Sequence, residues 1–522
     1  MTAKKRYDYL RSIRDDFLDA AVQASRLTLP YLMKQDEDES NHKNVKTPWQ
    51  AVGAKGVVTL ASKLMLALVP VQSTFFKLQV NESQVQTGEI DPQIRSELDL
   101  SFAKMERTIM NLIAASDDRV TIHQAMKHLV VSGNALIFMD KEKLKLYPLN
   151  RYVIDRDGLG NVIEIITKER IAKQLVMESL TPKQRQELAP NEPSNSYSED
   201  LSKEECDVYT HVKRQGKKFV WHQEVYGKIL PNSLSSAPID TNPWLALRFN
   251  TVDNEAYGRG RVEEFIGDLK SLEALSQALV EGSAAAAKVV FTVSPSSTTK
   301  PATLASAGNG AIVQGRPDDI GVVQVGKTAD FSTAYQMSMT LEKRLSEAFL
   351  ILSVRDSERT TAEEVRMTQM ELEAQLGGLF SLLTVEFLVP YLNRKLAMAQ
   401  KSGDIPKLPK GMVQPTIVAG VNALGRGQDR QSLIEFMTTI ANTLGPQAMM
   451  QFINTDEVIK RLAASQGIDV LNLVKSQEQI QQEQAQAQQA EAQQSLVGQA
   501  AQLERNQMEM MNDGANTQVP TP

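Results

Sequence analysis

One stretch, Ser353 to Pro390, constrains the architecture of this chain more than any other. A strongly polar octet, Ser353-Val354-Arg355-Asp356-Ser357-Glu358-Arg359-Thr360, interrupts two long helical patterns. Thr361-Ala362-Glu363-Glu364 follows as a capping box: the Thr361 hydroxyl accepts from the backbone N–H three residues on, and Glu364 reaches back. Val365, Leu372, Leu376, Leu379, Leu383 and Phe387 then recur at helical spacing. They predict one apolar face from Thr361 to Val389, roughly 44 Å long at 1.5 Å rise per residue. Gly377-Gly378 falls inside that helix and predicts a kink, and Pro390 ends or bends it again. A long kinked helix entered from a charged loop reads as a machine part. The alternative is a core helix of an ordinary all-α domain.

The 522 residues are enough for two to four domains' worth of core. With 42% hydrophobic and 23% charged residues, the composition is that of a folded, water-exposed chain. The longest apolar run, Leu64 to Val71, is far short of the ~20 residues that span a bilayer, which argues against an integral membrane protein. Met1-Thr2-Ala3-Lys4-Lys5-Arg6 leads straight into an amphipathic pattern rather than a signal peptide. The single cysteine, Cys206, excludes an internal disulfide and suits a reducing compartment. A net charge of −6 argues against simple electrostatic wrapping of nucleic acid, though not against DNA passing nearby without sticking.

Taken in order, residues 3–33 predict a helix with Leu10, Ile13, Phe17 and Ala21 on one face. A second helix runs from Trp49 to about Leu68, carrying Val52, Val57, Leu60, Leu64 and Leu68. A strand at 74–80 and helices at 92–115 and 118–131 come next. Strands follow at 135–139 and 144–149, then 152–155 and 162–166 around the turn Asp157-Gly158-Leu159-Gly160-Asn161. Residues 178–204 are a polar excursion, and a hairpin spans 207–225. From Arg261 a clean helix carries Leu269, Leu272, Leu275 and Leu279 and ends in Ala284-Ala285-Ala286-Ala287, a smooth patch that admits another helix. A 40-residue insert separates it from a second helix with Phe331, Tyr335, Met339, Leu345 and Phe349. Helices at 428–444 and 455–466 precede a Gln/Ala/Glu tail from Val474, which cannot build a core of its own. The fold class is α+β, mainly helical.

No constellation carries chemistry. Gly321-Val322-Val323-Gln324-Val325-Gly326-Lys327-Thr328 matches G-x-x-x-x-G-K-[ST] letter for letter, but a turn precedes Gly321 where a phosphate loop needs a strand. Val-Val-Gln-Val prefers extension to a phosphate nest, so the stretch reads as a strand running into a helix. The five histidines (His42, His123, His128, His211, His222) are scattered, and no metal or cofactor site is expected. Tyr257-Gly258-Arg259-Gly260-Arg261 lacks the third glycine of a dinucleotide motif and reads as a loose hinge.

Several segments resemble a known family. Tyr257 to Glu273 (YGRGRVEEFIGDLKSLE) is similar to the segment leading into the first stem helix of portal proteins, the head-to-tail connectors of short-tailed bacteriophages. Gly315-Arg316-Pro317-Asp318-Asp319-Ile320 resembles their clip. Glu358 to Arg366, with Glu371-Leu372-Glu373 and Leu376-Gly377-Gly378, resembles their tunnel loop and long wing helix. Gly425-Arg426-Gly427-Gln428-Asp429 lies where such proteins pass from wing to crown. The likeness covers about residues 5–470, and the order of segments agrees.

The resemblance implies a portal fold assembled as a ring. Its parts would be a wing over 1–260, stem helices over 261–288 and 331–352, a clip over 289–330 and a tunnel loop over 353–360. A long kinked wing helix and return would take 361–427 and a helical crown 428–473, with the tail 474–522 outside the likeness. It implies Arg355, Asp356, Glu358 and Arg359 in a DNA channel, Leu269, Leu275, Ala285 and Ala286 at a subunit interface, and Gly377 and Gly378 at the helix kink. Implied partners are further copies of the chain, as a dodecamer, and double-stranded DNA held without sequence specificity. A terminase motor, major capsid and scaffolding proteins and a tail adaptor complete the set, with no membrane. The implied place is the virion's portal vertex, with the host cytoplasm during assembly, and the implied role is not enzymatic. A capsid scaffold or adaptor and a DNA-packaging NTPase are the rival readings.

Overall fold

The computed structural model describes residues 2–35, 45–70, 75–80, 92–185, 204–286, 290–323, 328–351, 378–406, 413–417, 425–445 and 458, less the single positions 179, 182, 298, 309, 317 and 319. The chain divides into two compact units, Met1–Ala423 and Leu424–Pro522. The first unit opens with α1 (Ala3–Arg26), α2 (Val52–Leu68), β1 (Phe76–Val80), α3 (Pro92–Ala115) and α4 (Asp118–Ser132). Strands β2 (Asn134–Met139), β3 (Leu144–Tyr147), β4 (Tyr152–Arg156) and β5 (Val162–Ala172) lead through α5 (Lys173–Glu178) to β6 (Glu205–Gln215) and β7 (Lys218–Val225). Next come β8 (Lys228–Ile229), β9 (Ser235–Pro238), β10 (Trp244–Arg248), α6 (Arg261–Glu264) and α7 (Ile266–Ala286). The unit closes with β11 (Val290–Val293), α8 (Pro301–Ser306), β12 (Ile320–Val323), α9 (Thr328–Ala348), α10 (Val389–Ser402) and β13 (Val413–Ile417). Of the second unit, α11 (Gly425–Leu444) is described.

A three-stranded antiparallel sheet, in the order β10-β2-β3, is a wall between two cores. Side chains alternate across a strand, and here both alternating sets are apolar. Ala135, Ile137, Met139, Leu245 and Leu247 enter one core with α2, α3, α4 and the later helices. Leu136, Trp244 and Ala246 enter the other, with α1 and the second sheet. This explains why β2 reads as a continuous apolar run, Ala-Leu-Ile-Phe-Met, rather than as alternation.

The second sheet runs β4-β5-β6-β7-β8 antiparallel, with β9 also on β7. Its β4–β5 turn is fixed by Asp157, whose carboxylate accepts from the N–H of Leu159 (3.0 Å) and of Asn161 (2.8 Å). Helix α1 lies on this sheet, burying Ala3, Tyr7 and Leu10 with Val153, Ile166 and Tyr209. Arg6 reaches Asp155 at 2.9 Å and Glu164 at 2.8 Å.

Two features of α1 differ from expectation. It ends at Arg26, where the Thr28 hydroxyl donates to Ala24 O (2.8 Å), a carbonyl of the last turn, and the Ser25 hydroxyl holds the outgoing chain through Leu29 O (2.6 Å). Its buried stripe is Tyr7, Leu10, Arg14, Leu18 and Ala21, while Ile13 is 48% exposed. Arg14 is wholly buried, donating to the Tyr7 hydroxyl (3.1 Å) and to Asn150 O (3.0 Å). The apolar stem of an arginine can occupy a core position when its head finds acceptors. In α2 the expected Val57, Leu60, Leu64 and Leu68 are all buried.

Candidate functional site

The entry to α6 is rigid, which corrects the loose hinge expected at Tyr257–Arg261. A Cβ on Gly258 would lie 2.6 Å from Gly133 O, and one on Gly260 2.6 Å from Val131 O. The two glycines are there because two backbones touch. Asn134 clamps the contact, its Oδ1 accepting from Gly258 N–H (2.7 Å) and its Nδ2 donating to Gly258 O (2.8 Å). The Tyr257 hydroxyl, buried behind them, accepts from Ile154 N–H at 3.0 Å. From Arg261 the helix is not continuous: α6 stops at Phe265 and α7 restarts at Ile266.

Helices α7 and α9 form an antiparallel pair. Near its base Arg344 of α9 meets Asp268 of α7 at 2.7 Å. Toward the other end the Phe331 ring lies so close over Gly282 that a Cβ there would be 2.5 Å from it. The base is core: Leu269, Leu272, Leu341, Leu345 and Phe349 are buried together, and the Phe349 side chain packs against Gly56 of α2. Beyond the base the pair is bare, with Val280, Tyr335, Met337 and Met339 at 52%, 59%, 59% and 50% exposure.

Helix α9 stops in a Schellman motif, with Ile351 N–H on Ser346 O and Leu350 N–H on Glu347 O. Leu350 occupies the left-handed position at φ 56°, where glycine is usual. It is held there by its own burial in the core and by Lys63, whose Nζ donates to Leu350 O at 2.7 Å. Arg261 Nη2 donates to Ala348 O at 3.2 Å. Two cations thus sit on the negative end of the helix, where its last carbonyls lack intrahelical donors. The described chain before the octet is therefore fixed as far as Ile351. Where description resumes, Leu379, Phe380 and Leu383 are again in that core.

The long helix passes through Pro390 instead of ending there. Residues 384–388 form a π-helical turn, in which Val389 N–H reaches back to Thr384 O, and α10 then carries Pro390 in its first turn and runs to Ser402. The wider turn absorbs a proline that lacks an N–H and would crowd the carbonyl before it. Gly378 is helical with open space where a Cβ would stand, and Gly377 lies outside the described residues. The π turn aims Glu386 at β10. Its carboxylate accepts from Arg248 N–H and Nε, both at 2.9 Å, and lies 3.5 Å from Arg156. Burial pushes the Arg156 pKa down to about 10, against the pull of Glu386. One turn on, the Tyr391 hydroxyl and Lys395 both meet the buried Asp118 of α4 at 2.6 Å. Sequence reading missed Glu386 and Asp118. An acid between Leu383 and Phe387 on an otherwise apolar face was the available signal.

Of the residues singled out from sequence, Arg355, Asp356, Glu358 and Arg359 lie outside the described residues, as does the tail from Val474. Leu269 is wholly buried in the chain's own core and Leu275 packs at its edge. Ala285 is exposed, and Ala286 ends α7. Gly321, Val322 and Val323 belong to β12, paired antiparallel with β11 in the register Thr292↔Gly321, so they are extended and form no phosphate nest. Lys327 lies outside the described residues. The histidines are not all scattered, which is a further correction: β6–β7 pairing places His211 opposite His222. Among the described residues no helix is long and apolar enough to cross a membrane.

Comparison with known proteins identifies the family of the sequence. The family described as "Bacteriophage head to tail connecting protein" matches residues 1–472. The portal protein of Escherichia phage T7 is 37% identical over 489 residues, covering 92% of this chain and 89% of its own. That of Enterobacteria phage SP6 is 28% identical over 511 residues, covering 97% and 93%. A solved chain from the neck of an empty GTA particle computed with C6 symmetry aligns over 80% of this chain and 90% of its own, with a TM-score of 0.40 and 11% identity. The family match and the T7 identity, each over most of the sequence, show that this chain belongs to the bacteriophage head to tail connecting protein family, with the function of a portal connector.

Proposed function

We propose that copies of this chain close into a ring, a dodecamer, around a channel for double-stranded DNA at the capsid vertex. In this reading α7 and α9 are the stem, 289–330 the clip, 353–360 the tunnel loop, 1–260 and 361–427 the wing and 428–473 the crown. The observation that carries it is the half-bare helix pair. Its base is locked into the chain's own core, while Val280, Tyr335, Met337 and Met339 are left exposed on two adjacent helices. A head-to-tail contact that closes into a ring would cover such a surface with the next copy. Ala285 and Ala286 then belong to the contact, whereas Leu269 and Leu275 act from inside by fixing the base.

The octet supplies the DNA contact. Arg355 and Arg359 touch phosphates as the duplex passes, and Asp356 and Glu358 keep the attraction weak. A channel that neutralised many phosphates would bind salt-dependently and stall the DNA. A net charge of −6 per chain keeps bulk attraction out of the design. Packaging would be driven by a separate ATP-consuming terminase, with capsid, scaffolding and tail adaptor proteins as neighbours and no catalysis by this chain. Replacing Arg355 and Arg359 together with Ala tests the reading. Rings should still form, and genome packaging or retention should fall several-fold, with a loss that varies with salt. Normal packaging by the double variant would remove the octet from DNA handling, and failure to form rings would make it structural.

A further inference from the structure

The β6–β7 register that sets His211 against His222 also brings in Glu224, two residues along β7 and so on the same face. One ring nitrogen of each histidine and a Glu224 carboxylate oxygen lie within 4.8 Å of one another. Two of these groups, His211 and Glu224, have a partner outside the cluster that fixes their direction. His211 Nε2 is bonded to Glu164 Oε1, and Glu224 Oε2 accepts from Ala3 N–H at 2.7 Å. His222 Nε2 meets Glu224 Oε1 at 2.9 Å. Metal-binding histidines and carboxylates are held by outer hydrogen bonds of this kind. His211 and Glu224 are buried, while the His222 side chain is 21% exposed and leaves a way in.

We propose that His211, His222 and Glu224 bind one divalent transition-metal ion of the zinc type beneath the first turn of α1. Two imidazole nitrogens and a carboxylate oxygen suit zinc or cobalt, whereas calcium would need more oxygen donors than the three residues offer. Ligands about 2.1 Å from a shared tetrahedral ion stand about 3.4 Å apart, so the ligand atoms, now within 4.8 Å of one another, close by up to about 1.4 Å through side-chain rotation when the ion binds. As the ion takes the place of the hydrogen between His222 Nε2 and Glu224 Oε1, the neutral ring would keep its proton on Nδ1 and an imidazolium would release one to solvent. Glu164 and Glu224 supply the countercharge, while Arg6 (2.8 Å) and Lys213 (3.4 Å) on Glu164 temper it. Because Glu224 holds Ala3 N–H, the bound ion would tie the start of α1 to the sheet.

The test uses the full-length protein stripped with a chelator and titrated with Co2+ by visible absorption and with Zn2+ by calorimetry. One ion per chain should bind with a raised Tm. Glu224→Gln keeps an oxygen for Ala3 N–H but removes the charge, and should weaken binding at least tenfold. His222→Gln should abolish it, while His123→Ala should leave it unchanged. Circular dichroism confirms that each variant is folded. No saturable uptake by the wild type, or equal uptake by wild type, Glu224→Gln and His222→Gln, overturns the site.

Discussion

Helices α1 and α7 have similar lengths, 24 and 21 residues, and each carries apolar residues at helical spacing, but they differ in how far their own chain covers them. Buried residues run the whole length of α1, from Ala3 to Ser25. In α7 they stop at Leu272, and the exposed Val280 and Ala285 follow. An amphipathic stripe is evidence of a partner, not of which molecule supplies it. The sheet of β4 to β8 covers α1; for the outer half of α7 and α9 no cover exists among the described residues.

The largest expected effect lies at the base of the pair. Phe349→Ala should cost about 4 kcal/mol, since it empties a wholly buried ring site against Gly56. Urea denaturation would measure it, and a cost under about 1 kcal/mol would mean that the base is no more anchored than the outer half. Next is the joint between the long helix and the β10 wall. Glu386→Ala leaves Arg248 and Arg156 buried without their shared carboxylate and should cost about 3 kcal/mol by the same measurement.

Acid should weaken α4, which packs against α1 and α6. Burial lowers the His128 pKa from 6.5 to about 4, with Lys127 adding to the shift. The unfolded chain therefore binds the proton first, and stability is present above pH 6.5 and lost as pH falls toward about 4, by about 3 kcal/mol. His128→Gln should flatten that part of the pH–stability curve; an unchanged slope would remove His128 as its cause. The smallest change in chain stability, within about 0.5 kcal/mol, is expected for Ala285→Glu on the exposed face. That variant should nevertheless abolish rings in negative-stain images, by placing a like charge at every repeated contact. Rings of normal size would show that the outer half of α7 is not an interface.

Much of the scaffold was legible in the sequence. The α2 stripe, the β2 run, the Asp157–Asn161 turn and the strand character of Gly321–Val323 each depend on neighbours a few residues away, where periodicity and turn chemistry act. The candidate site was legible in outline, through the paired helices on either side of the 289–330 insert. Its joints were not. Leu350 in a position that favours glycine, the π turn before Pro390, and Glu386 on Arg248 depend on groups far apart in the chain.

What the sequence by itself determined is therefore local: which of the described segments are helix or strand, and which of their faces are apolar. Tertiary structure alone decided that Arg14 goes inside and Ile13 outside, because the acceptor at Asn150 lies 136 residues away. It also turned a supposed hinge into a rigid contact, because Gly258 and Gly260 meet the backbone of Val131 and Gly133. Only the β6–β7 register could bring together His211, His222 and Glu224, since pairing between strands is a long-range choice that no local pattern records.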